Sequence, residues 1–197
     1  MFKQSLKRGI DILGASLLLI LSLPLCLIVV ALILLIDHQY PIFIQKRLTK
    51  DRKEFNLYKF QSMTAGNEED YGLTLEQDPR VTKVGKFIRR FRIDELPQLI
   101  NIIKGDMSLV GPRPERPHIA AEIEKELPEF AERLQVKAGL TGYAQVHGTY
   151  GTPSKEKLEM DMYYIDHWSL WLDIKIIFQT IGVIFDKQSS KGVEVEK

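Results

Sequence analysis

The sequence predicts a mainly helical α+β protein whose N-terminal segment enters a membrane. An uncharged, apolar run of 25 residues extends from Ile12 to Ile36, and as one helix it would reach about 37 Å, enough to cross a hydrocarbon core of about 30 Å. Two short segments with strand character follow, and beyond them apolar residues recur at helical spacing. We therefore expect a re-entrant helical hairpin over residues 1–38, a compact domain with a short β-hairpin and interfacial amphipathic helices over 39–186, and a polar tail over 187–197.

The apolar run is interrupted near its middle by Ser22-Leu23-Pro24. Pro24 removes one backbone donor and clashes with the carbonyl of Ile20, while the hydroxyl of Ser22 can hydrogen-bond to the backbone there. These residues favour a kink or reversal, and each arm then reaches only part of the way across a bilayer. A kinked helix that spans the membrane once is the alternative, because prolines occur in spanning helices.

Basic residues lie on both sides of the apolar run. They are Lys3, Lys7 and Arg8 before it and Lys46, Arg47 and Lys50 after it. Positive charge on both sides disfavours placing the two ends on opposite faces of a membrane. We expect both ends on the cytoplasmic face, with Arg8 and Asp11 paired at the mouth of the hairpin. A cleaved signal peptide is disfavoured, because the run is too long and no small-residue cleavage site follows it.

The amino-acid composition limits which kinds of partner the rest of the chain can bind. Lysine and arginine total 27 and aspartate and glutamate total 26, and the net charge of +1 gives no general case for nucleic acid. Cys26 is the only cysteine, so an intrachain disulfide and a cysteine-based metal cluster are excluded. A local basic cluster consists of Lys83, Lys86, Arg89, Arg90 and Arg92. Phosphate groups of lipids or of a nucleotide are its natural partners, and a solvated helix face is the alternative.

Two strand patterns follow the apolar run. Residues 41–45 and 55–60 are rich in β-branched and aromatic side chains, and a charged turn at 50–53 separates them. This arrangement predicts a small β-hairpin. The polar stretch 65–72 has no apolar periodicity and predicts a loop.

Three helical patterns come next. One begins at Thr82, a second covers 95–104 and is stopped by Gly105, and a third covers 119–135 with Pro128 inside it. Each places apolar side chains on one face, as a helix packed against a core requires.

A fourth helical pattern covers residues 170–185 and repeats large apolar side chains. Trp168 and Trp171 stand at its start. Such a helix can lie in the membrane interface with its indoles at headgroup depth, and ordinary core packing is the alternative.

Two adjacent carboxylates, Asp94 and Glu95, precede Pro97. Proline is tolerated in a first helical turn, so the pattern predicts a helix that begins at Asp94 or Glu95, or a kink there. The dipole of such a helix start would hold Asp94 ionised and attract a phosphate. An ionised aspartate can attack phosphorus, and either carboxylate can ligate Mg²⁺ that already holds a diphosphate. Helix capping by Asp94 is the alternative.

Two further segments contain residues that are typical of ligand-binding sites. Arg113 lies between Pro112 and Pro114, and a guanidinium on a backbone fixed in this way suits bidentate recognition of phosphate. A surface turn with a solvated arginine is the alternative. Residues 139–148 are rich in glycine and hydrogen-bonding side chains, as expected of a loop whose backbone approaches a ligand closely.

Taken together, these motifs resemble those of the bacterial sugar transferases, also called monotopic phosphoglycosyl transferases. The resemblance covers about residues 7–185 and rests on Lys-Arg-x-x-Asp at 7–11, Tyr-Lys-Phe-x-x-Met at 58–63, Asp-Glu-Leu-Pro-Gln at 94–98, Lys-Gly-Asp-Met-Ser-Leu-Val-Gly-Pro-Arg-Pro at 104–114, Gly-Leu-Thr-Gly-Tyr-Ala-Gln-Val at 139–146 and Asp-x-Tyr-Tyr at 161–164. The chain resembles the small form of the family, which has the catalytic domain alone.

The resemblance implies transfer of a sugar-1-phosphate from a UDP-sugar to polyprenyl phosphate, usually undecaprenyl phosphate, with Mg²⁺ and release of UMP. It places the catalytic domain on the cytoplasmic face of the bacterial inner membrane, at the start of glycan assembly, with downstream glycosyltransferases as further partners. Asp94 is implied as the nucleophile that forms a covalent phosphosugar intermediate, and Glu95 as its helper in metal binding or acceptor activation. Further substrate-binding candidates are Arg113, Lys59, Arg89 and Gln145.

The chain also departs from the family pattern. Lys137-Ala138 replaces a frequent Arg-Pro, His147-Gly148-Thr149 replaces a common Asn-Gly-Arg, Leu23 separates Ser22 from Pro24, and Arg92 occupies a position that is often small and polar. These changes leave the identity of the sugar open. Two other functions remain as alternatives: a membrane-bound hydrolase that cleaves nucleotide diphosphosugars with water, and a non-enzymatic scaffold of a glycan assembly complex.

Overall fold

A computed structural model describes residues 2–64, 78–149 and 151–185 and confirms a mainly helical α+β architecture. A long apolar helix leads into a β-hairpin, and shorter helices then pack around a second two-stranded sheet. The 65–72 loop and the 187–197 tail that the sequence predicts lie outside the described residues.

The predicted β-hairpin is confirmed. Strands β1 (Ile42–Leu48) and β2 (Glu54–Phe60) pair antiparallel, with Gln45 opposite Leu57 and Arg47 opposite Phe55. The charged turn between them forms a short 3₁₀ segment. Because strand side chains alternate between faces, Gln45 and Arg47 share one face of β1.

The second sheet pairs two short segments that are distant in sequence. Strands β3 (Met107–Val110) and β4 (Ala138–Thr141) run parallel, with Met107 opposite Ala138 and Val110 opposite Thr141. The sequence pattern did not predict this sheet. The prediction of a loop over 139–148 was therefore wrong, because this segment contains most of β4 and a short helix.

The helices confirm most of the periodic patterns. They are α1 (Phe2–Leu32), α2 (Lys83–Arg90), α3 (Gln98–Lys104), α4 (Pro117–Glu126), α5 (Tyr143–His147), α6 (Ser154–Asp166) and α7 (Leu170–Phe185). Thr82 caps α2 by accepting a hydrogen bond from the N–H of Gly85 at 2.8 Å. Gly105 ends α3 with a φ of 96°, a conformation that glycine adopts without strain.

Helix α1 contains Pro24 and continues as a π-helical turn over Ile33–Asp37. The hydroxyl of Ser22 donates to the carbonyl of Leu19 at 3.3 Å, as the sequence predicts for this region of the backbone. The interruption at Pro24 is therefore not a loop. Among the described residues, this is the helix long and apolar enough to cross a membrane, and 11% of its most apolar window is buried by protein.

The N-terminal part of α1 is fixed to the rest of the protein by its charged residues. Asp11 is buried and accepts a hydrogen bond from Ser108 Oγ at 2.9 Å. Arg8 donates to the carbonyls of Ile102 and Ile103 at 2.6 and 2.8 Å, where α3 ends. The predicted Arg8–Asp11 pair is wrong, because each side chain binds a partner far away in sequence instead of its helical neighbour.

The core forms two clusters, one under the N-terminal half of α1 and one under its C-terminal end. The first contains Ala15 together with Leu99, Ile102, Met107, Val110 and Ile176. The second contains Val29 and Ile33 together with Phe60, Val84 and Ile88. Each buried large aliphatic side chain contributes about 1.5–3 kcal/mol to folding. Both ends of α1 are therefore packed on the same compact domain.

Candidate active site

The two adjacent carboxylates lie in a single 3₁₀ turn, Ile93–Glu95, between α2 and α3. Helix α3 begins at Gln98, so the predicted helix start at Asp94 or Glu95 was about one turn too early. No side chain caps either the 3₁₀ turn or α3, and the capping role considered for Asp94 is therefore wrong. The turn follows Arg92, whose φ of 54° is left-handed, a conformation that costs a non-glycine residue about 1–2 kcal/mol.

Glu95 is the centre of an ion cluster that joins three segments of the chain. Its Oε1 accepts from Lys59 Nζ of β2 at 3.0 Å and from Arg113 Nη2, in the loop after β3, at 3.1 Å. Glu95 itself is buried. The structure thus brings together four of the predicted site residues, namely Asp94, Glu95, Lys59 and Arg113.

Asp94 differs from its neighbour because its carboxylate accepts no hydrogen bond from any side chain or backbone group of the described ranges. It is 9% exposed. Burial raises the pKa of Asp94, the charge of Glu95 adds to that effect, and Lys59 opposes it. The prediction that a helix dipole holds this group ionised is therefore not supported, since burial dominates and α3 starts further on.

The pKa of Glu95 moves in the opposite direction. Burial alone would raise it, but the adjacent charges of Lys59 and Arg113 outweigh burial and hold the pKa of Glu95 well below its ordinary range. Burial lowers the pKa of Lys59, and Glu95 partly restores it. The lowered pKa favours the charged form of Glu95, which binds two cations, while the oxygens of Asp94 have no donor within the described part of the chain.

The other two substrate-binding candidates make their hydrogen bonds to groups outside the ion cluster. Arg89 contacts Met63 Sδ at 3.2 Å and acts on Asp94 only through its charge. Gln145, on α5, donates to the carbonyl of Leu140 at 3.1 Å, and its Oε1 is buried without a partner. Neither side chain hydrogen-bonds to the ion cluster.

Gly111 and Gly139 are required by the packing of one backbone on another. A Cβ on Gly139 would lie 2.1 Å from the N of Gly111, and one on Gly111 would lie 2.4 Å from the carbonyl oxygen of Lys137. The two backbones cross at this point, with Gly139 N donating to Pro112 O at 2.9 Å. Glycine is required here because backbone packs on backbone, and the crossing fixes the start of the loop that carries Arg113.

Two functional candidates were missed by sequence reasoning. Arg47 and Gln98 line a small cleft together with Lys59, Arg113 and Pro114. The alternation of the first strand could have identified Arg47, because it lies two residues beyond Gln45 on the same face. The predicted strand ended at residue 45, and this signal was therefore lost.

The carboxylates fit one kind of magnesium site. Magnesium is commonly held by one or two carboxylates and by substrate phosphates, and Asp94 together with the second oxygen of Glu95 supplies this set. Across 2–64, 78–149 and 151–185, no three His, Cys, Asp or Glu side chains converge as a closed cage. The donor set therefore fits an ion shared with substrate and does not fit one enclosed by protein alone.

Asp94 is buried, has no hydrogen-bond donor within the described ranges and lies in a cluster with Glu95, Lys59 and Arg113. Such a group of buried, electrostatically perturbed side chains is a candidate functional site. A family model described as bacterial sugar transferase matches residues 2–187. The chain belongs to the bacterial sugar transferase family, which confirms the resemblance of its motifs.

Individual relatives agree with this assignment. The chain is 45% identical over 184 residues to the UDP-N-acetylgalactosamine-undecaprenyl-phosphate N-acetylgalactosaminephosphotransferase of Aeromonas hydrophila, covering 91% of this chain and 43% of that protein. It is 44% identical to the undecaprenyl-phosphate glucose phosphotransferase of Komagataeibacter xylinus, covering 89% and 35%. It is 40% identical to the uncharacterized sugar transferase EpsL of Bacillus subtilis, covering 96% and 90%. The chain thus spans less than half of the first two relatives and most of the third.

Proposed function

We propose that this protein transfers a sugar-1-phosphate from a UDP-sugar to polyprenyl phosphate, such as undecaprenyl phosphate, and releases UMP. The observation that carries the proposal is the difference between two neighbouring acids: the oxygens of Asp94 have no hydrogen-bond donor among the residues described, while Glu95 holds Lys59 and Arg113 beside it. Two relatives are named as undecaprenyl-phosphate sugar phosphotransferases, and these names support polyprenyl phosphate as the acceptor.

In the proposed reaction an oxygen of Asp94 attacks the phosphorus that carries the sugar. The bond between this phosphorus and the oxygen bridging to the α-phosphate breaks, and UMP leaves with that oxygen. Lys59 and Arg113 are placed to bind the charge that develops on the phosphate oxygens. An oxygen of the polyprenyl phosphate then attacks the same phosphorus and releases Asp94.

Magnesium, held by Asp94 and Glu95 with the diphosphate, would supply charge neutralisation in this reaction. Burial raises the pKa of Asp94, and a bound magnesium ion would lower it, because a nearby cation favours the charged carboxylate. Glu95 is proposed to keep the two basic side chains in place throughout, since its own charge does not change.

We further propose that α1 follows a re-entrant path and that the domain lies on the cytoplasmic face of the inner membrane. A spanning helix would carry one end about 30 Å away from the other across the hydrocarbon core. Asp11 near one end and Ile33 near the other both pack on the same domain, which supports a bend within α1 over a crossing.

The proposed membrane surface includes side chains outside α1. On α7, Trp171 is 74% exposed and Phe178 is 69% exposed, and on α2 Phe87 is 56% exposed. Large apolar side chains at such exposure favour an interfacial position. Trp168 does not share it, because its indole N–H donates to Asp173 at 3.2 Å.

Donor-only incubation tests the proposed reaction. The protein in detergent is mixed with each of several UDP-sugars and Mg²⁺, quenched in acid, and its intact mass is measured. We expect an added sugar phosphate on the wild type and on the exposed-site control Asp166→Asn, and none on Asp94→Asn. UMP release at full rate without polyprenyl phosphate, with free sugar phosphate as product, would instead identify a hydrolase. An Asp94→Asn variant that supports normal transfer would contradict the proposal.

Cysteine labelling tests the proposed membrane path. In a Cys26→Ser background, single variants Lys3→Cys and Tyr40→Cys are treated with a membrane-impermeant thiol reagent in sealed inverted vesicles. Both are expected to react, because both ends of α1 lie on one side. Reaction of only one of them would show a spanning helix.

A further inference from the structure

Arg47 is directed from β1 toward the loop that carries the phosphate-binding candidate Arg113. Its Nη1 donates to the carbonyl oxygen of Pro114 at 3.0 Å, and its Nη2 donates to Gln45 Oε1 at 2.6 Å. Glu115 lies 3.7 Å from the same guanidinium. One side chain thus joins the β-hairpin to the backbone immediately after Arg113.

The loop is fixed on its other side as well. Gly111 N donates to Thr141 O and Gly139 N donates to Pro112 O, each at 2.9 Å. The backbone of Arg113 is therefore held by β4 before it and by Arg47 after it, while Glu95 binds its guanidinium. After Arg113 the backbone has two attachments to β1: Leu48 N donates to the carbonyl oxygen of Glu115 at 2.9 Å, and Arg47 binds the carbonyl oxygen of Pro114. Arg47 makes the attachment nearer to Arg113, and it makes it through a side chain.

Packing alone does not account for a cation at this position. The side chain of Arg47 is 17% exposed, and its Nε is buried with no hydrogen-bond partner. Burial lowers the pKa of Arg47 to about 10, although Glu115 opposes the effect. An apolar side chain of similar length would avoid these costs, so the guanidinium has a role that depends on its donors.

We propose that Arg47 is a positioning residue: it holds the backbone next to Arg113 so that the Arg113 guanidinium can bind the diphosphate of the donor. This role rests on the function proposed above. Arg47, Lys59 and Arg113 line one cleft, so the three cations face the region where phosphate oxygens gather. Lysine cannot take the place of Arg47, because a single ammonium does not span the Pro114 carbonyl and the Gln45 amide as a planar guanidinium does.

Binding of UDP to Arg47→Lys tests this role. UDP affinity is measured by calorimetry with Mg²⁺ and the full chain in nanodiscs, since the dissociation constant does not depend on the fraction of folded protein. We expect about tenfold weaker binding, the size of one lost hydrogen bond to a charged group. Lys46→Met is the matched control, because Lys46 is the neighbouring cation on β1, is 71% exposed and pairs with Glu54 at the surface. Unchanged binding by Arg47→Lys, or an equal loss in Lys46→Met, would overturn the proposal.

A double variant tests whether Arg47 acts through Arg113. In an Arg113→Ala background, the additional Arg47→Lys change is expected to weaken UDP binding less than about twofold, because coupled residues are not additive. A second tenfold loss in that background would show that Arg47 acts independently of Arg113 and would refute the positioning role.

Gln45→Met provides a second test of the same role, which can be used if Arg47→Lys fails to fold. This change removes the acceptor of Nη2 and leaves the charge of Arg47 in place, and we expect about threefold weaker UDP binding. Unchanged affinity in this variant would count against the proposal in the same way. A wild type that neither binds UDP nor releases UMP would remove the proposed function itself, whereas normal binding by wild type and by all Arg47 and Gln45 variants would remove only the role of Arg47.

Discussion

Two buried charge clusters in this protein serve different purposes. Arg133 and Asp161 form a pair between the 3₁₀ segment Pro128–Gln135 and α6, with Nε and Nη2 of the arginine 2.8 and 2.6 Å from one carboxylate oxygen. The arginine also lies 4.7 Å from the ring centroid of Phe130. In this pair one cation faces one anion, and both side chains are buried.

The cluster around Glu95 is not closed in this way. Two cations share one carboxylate oxygen, the adjacent Asp94 has no donor among the described residues, and a third cation, Arg47, lines the same cleft. The comparison shows that burial of charge does not by itself identify a functional site. The distinguishing feature is charge that the protein leaves unpaired, because such groups remain available to a substrate.

The largest expected effect is on enzymatic activity, and we expect it in the cluster around Glu95 and not in the Arg133–Asp161 pair. Asp94→Asn should lower UMP release by at least about a thousandfold, because removal of a nucleophile eliminates the covalent step. Its melting temperature should not fall, since a buried carboxylate without a donor is replaced by a neutral group. Steady-state UMP release and thermal unfolding are measured on the same preparation. A variant with more than a tenth of wild-type turnover would contradict this assignment.

The next largest effect is on the free energy of unfolding, and we expect it in the Arg133–Asp161 pair. Asp161→Asn should destabilise the protein by about 3 kcal/mol, because it leaves Arg133 buried without its counter-charge. For a domain of this size the melting temperature would fall by about 6–12 °C. Donor KM should not change.

A double replacement, Arg133→Met with Asp161→Leu, should recover most of this loss, since an apolar pair avoids the desolvation of both charges. Glu122→Gln is the control, because it breaks an exposed pair with Lys125 and should lower the melting temperature by less than about 2 °C. A double variant no more stable than Asp161→Asn would show that the pair is not merely structural.

The pH dependence of stability should differ in sign between Asp94 and Glu95. The pKa of Glu95 is lowered, so its stabilising effect is present above its ordinary pKa and is lost as pH falls. The pKa of Asp94 is raised, so its effect is present at acid pH and is lost as pH rises. In EDTA, Glu95→Gln should melt below wild type at pH 7, and this difference should shrink only in part as pH falls to 3, whereas Asp94→Asn should melt above wild type at pH 7 and converge with it near pH 3.

The expected differences at pH 7 are about 3–5 °C for each tenfold change in the proton affinity of the group between the unfolded and folded states. They are measured by thermal unfolding between pH 3 and pH 7. Parallel curves for the two variants would show that the two carboxylates share one environment.

The smallest effect concerns Arg89, which acts on Asp94 only through its field. Arg89→Gln should lower kcat/KM by about two- to fivefold at low salt, and by less at 0.5 M NaCl, where screening is stronger. The measurement is UMP release at two salt concentrations. A hundredfold loss independent of salt would place Arg89 in direct contact with substrate.

Local patterns predicted much of the fold. The bounds of α7 and the hairpin of β1 and β2 follow from apolar spacing and turn residues, which act over a few positions. The sheet of β3 and β4 was not predictable in this way. Each strand is four residues long, and their pairing depends on glycines at which two distant backbones cross.

The candidate site was likewise predictable from local sequence only in part. Asp94, Glu95 and Arg113 were identified from local sequence, because adjacent acids and a proline-flanked arginine have recognisable chemistry. The opposite pKa shifts of the two acids were not, since they arise from Lys59 and Arg113, which come from other segments. Arg8 and Asp11 are a counterexample, because their helical spacing suggested a pair and their partners lie about 95 residues away.

The sequence by itself determined that this chain has a long apolar N-terminal segment, a β-hairpin and two adjacent acids with the motifs of a sugar transferase. Spacing along the chain carries that information, because helices, strands and motifs are local. Only the tertiary structure decided which acid is paired and which is free, and that Arg47 reaches the loop of Arg113. Those outcomes depend on charges and backbones that meet only when distant segments pack together.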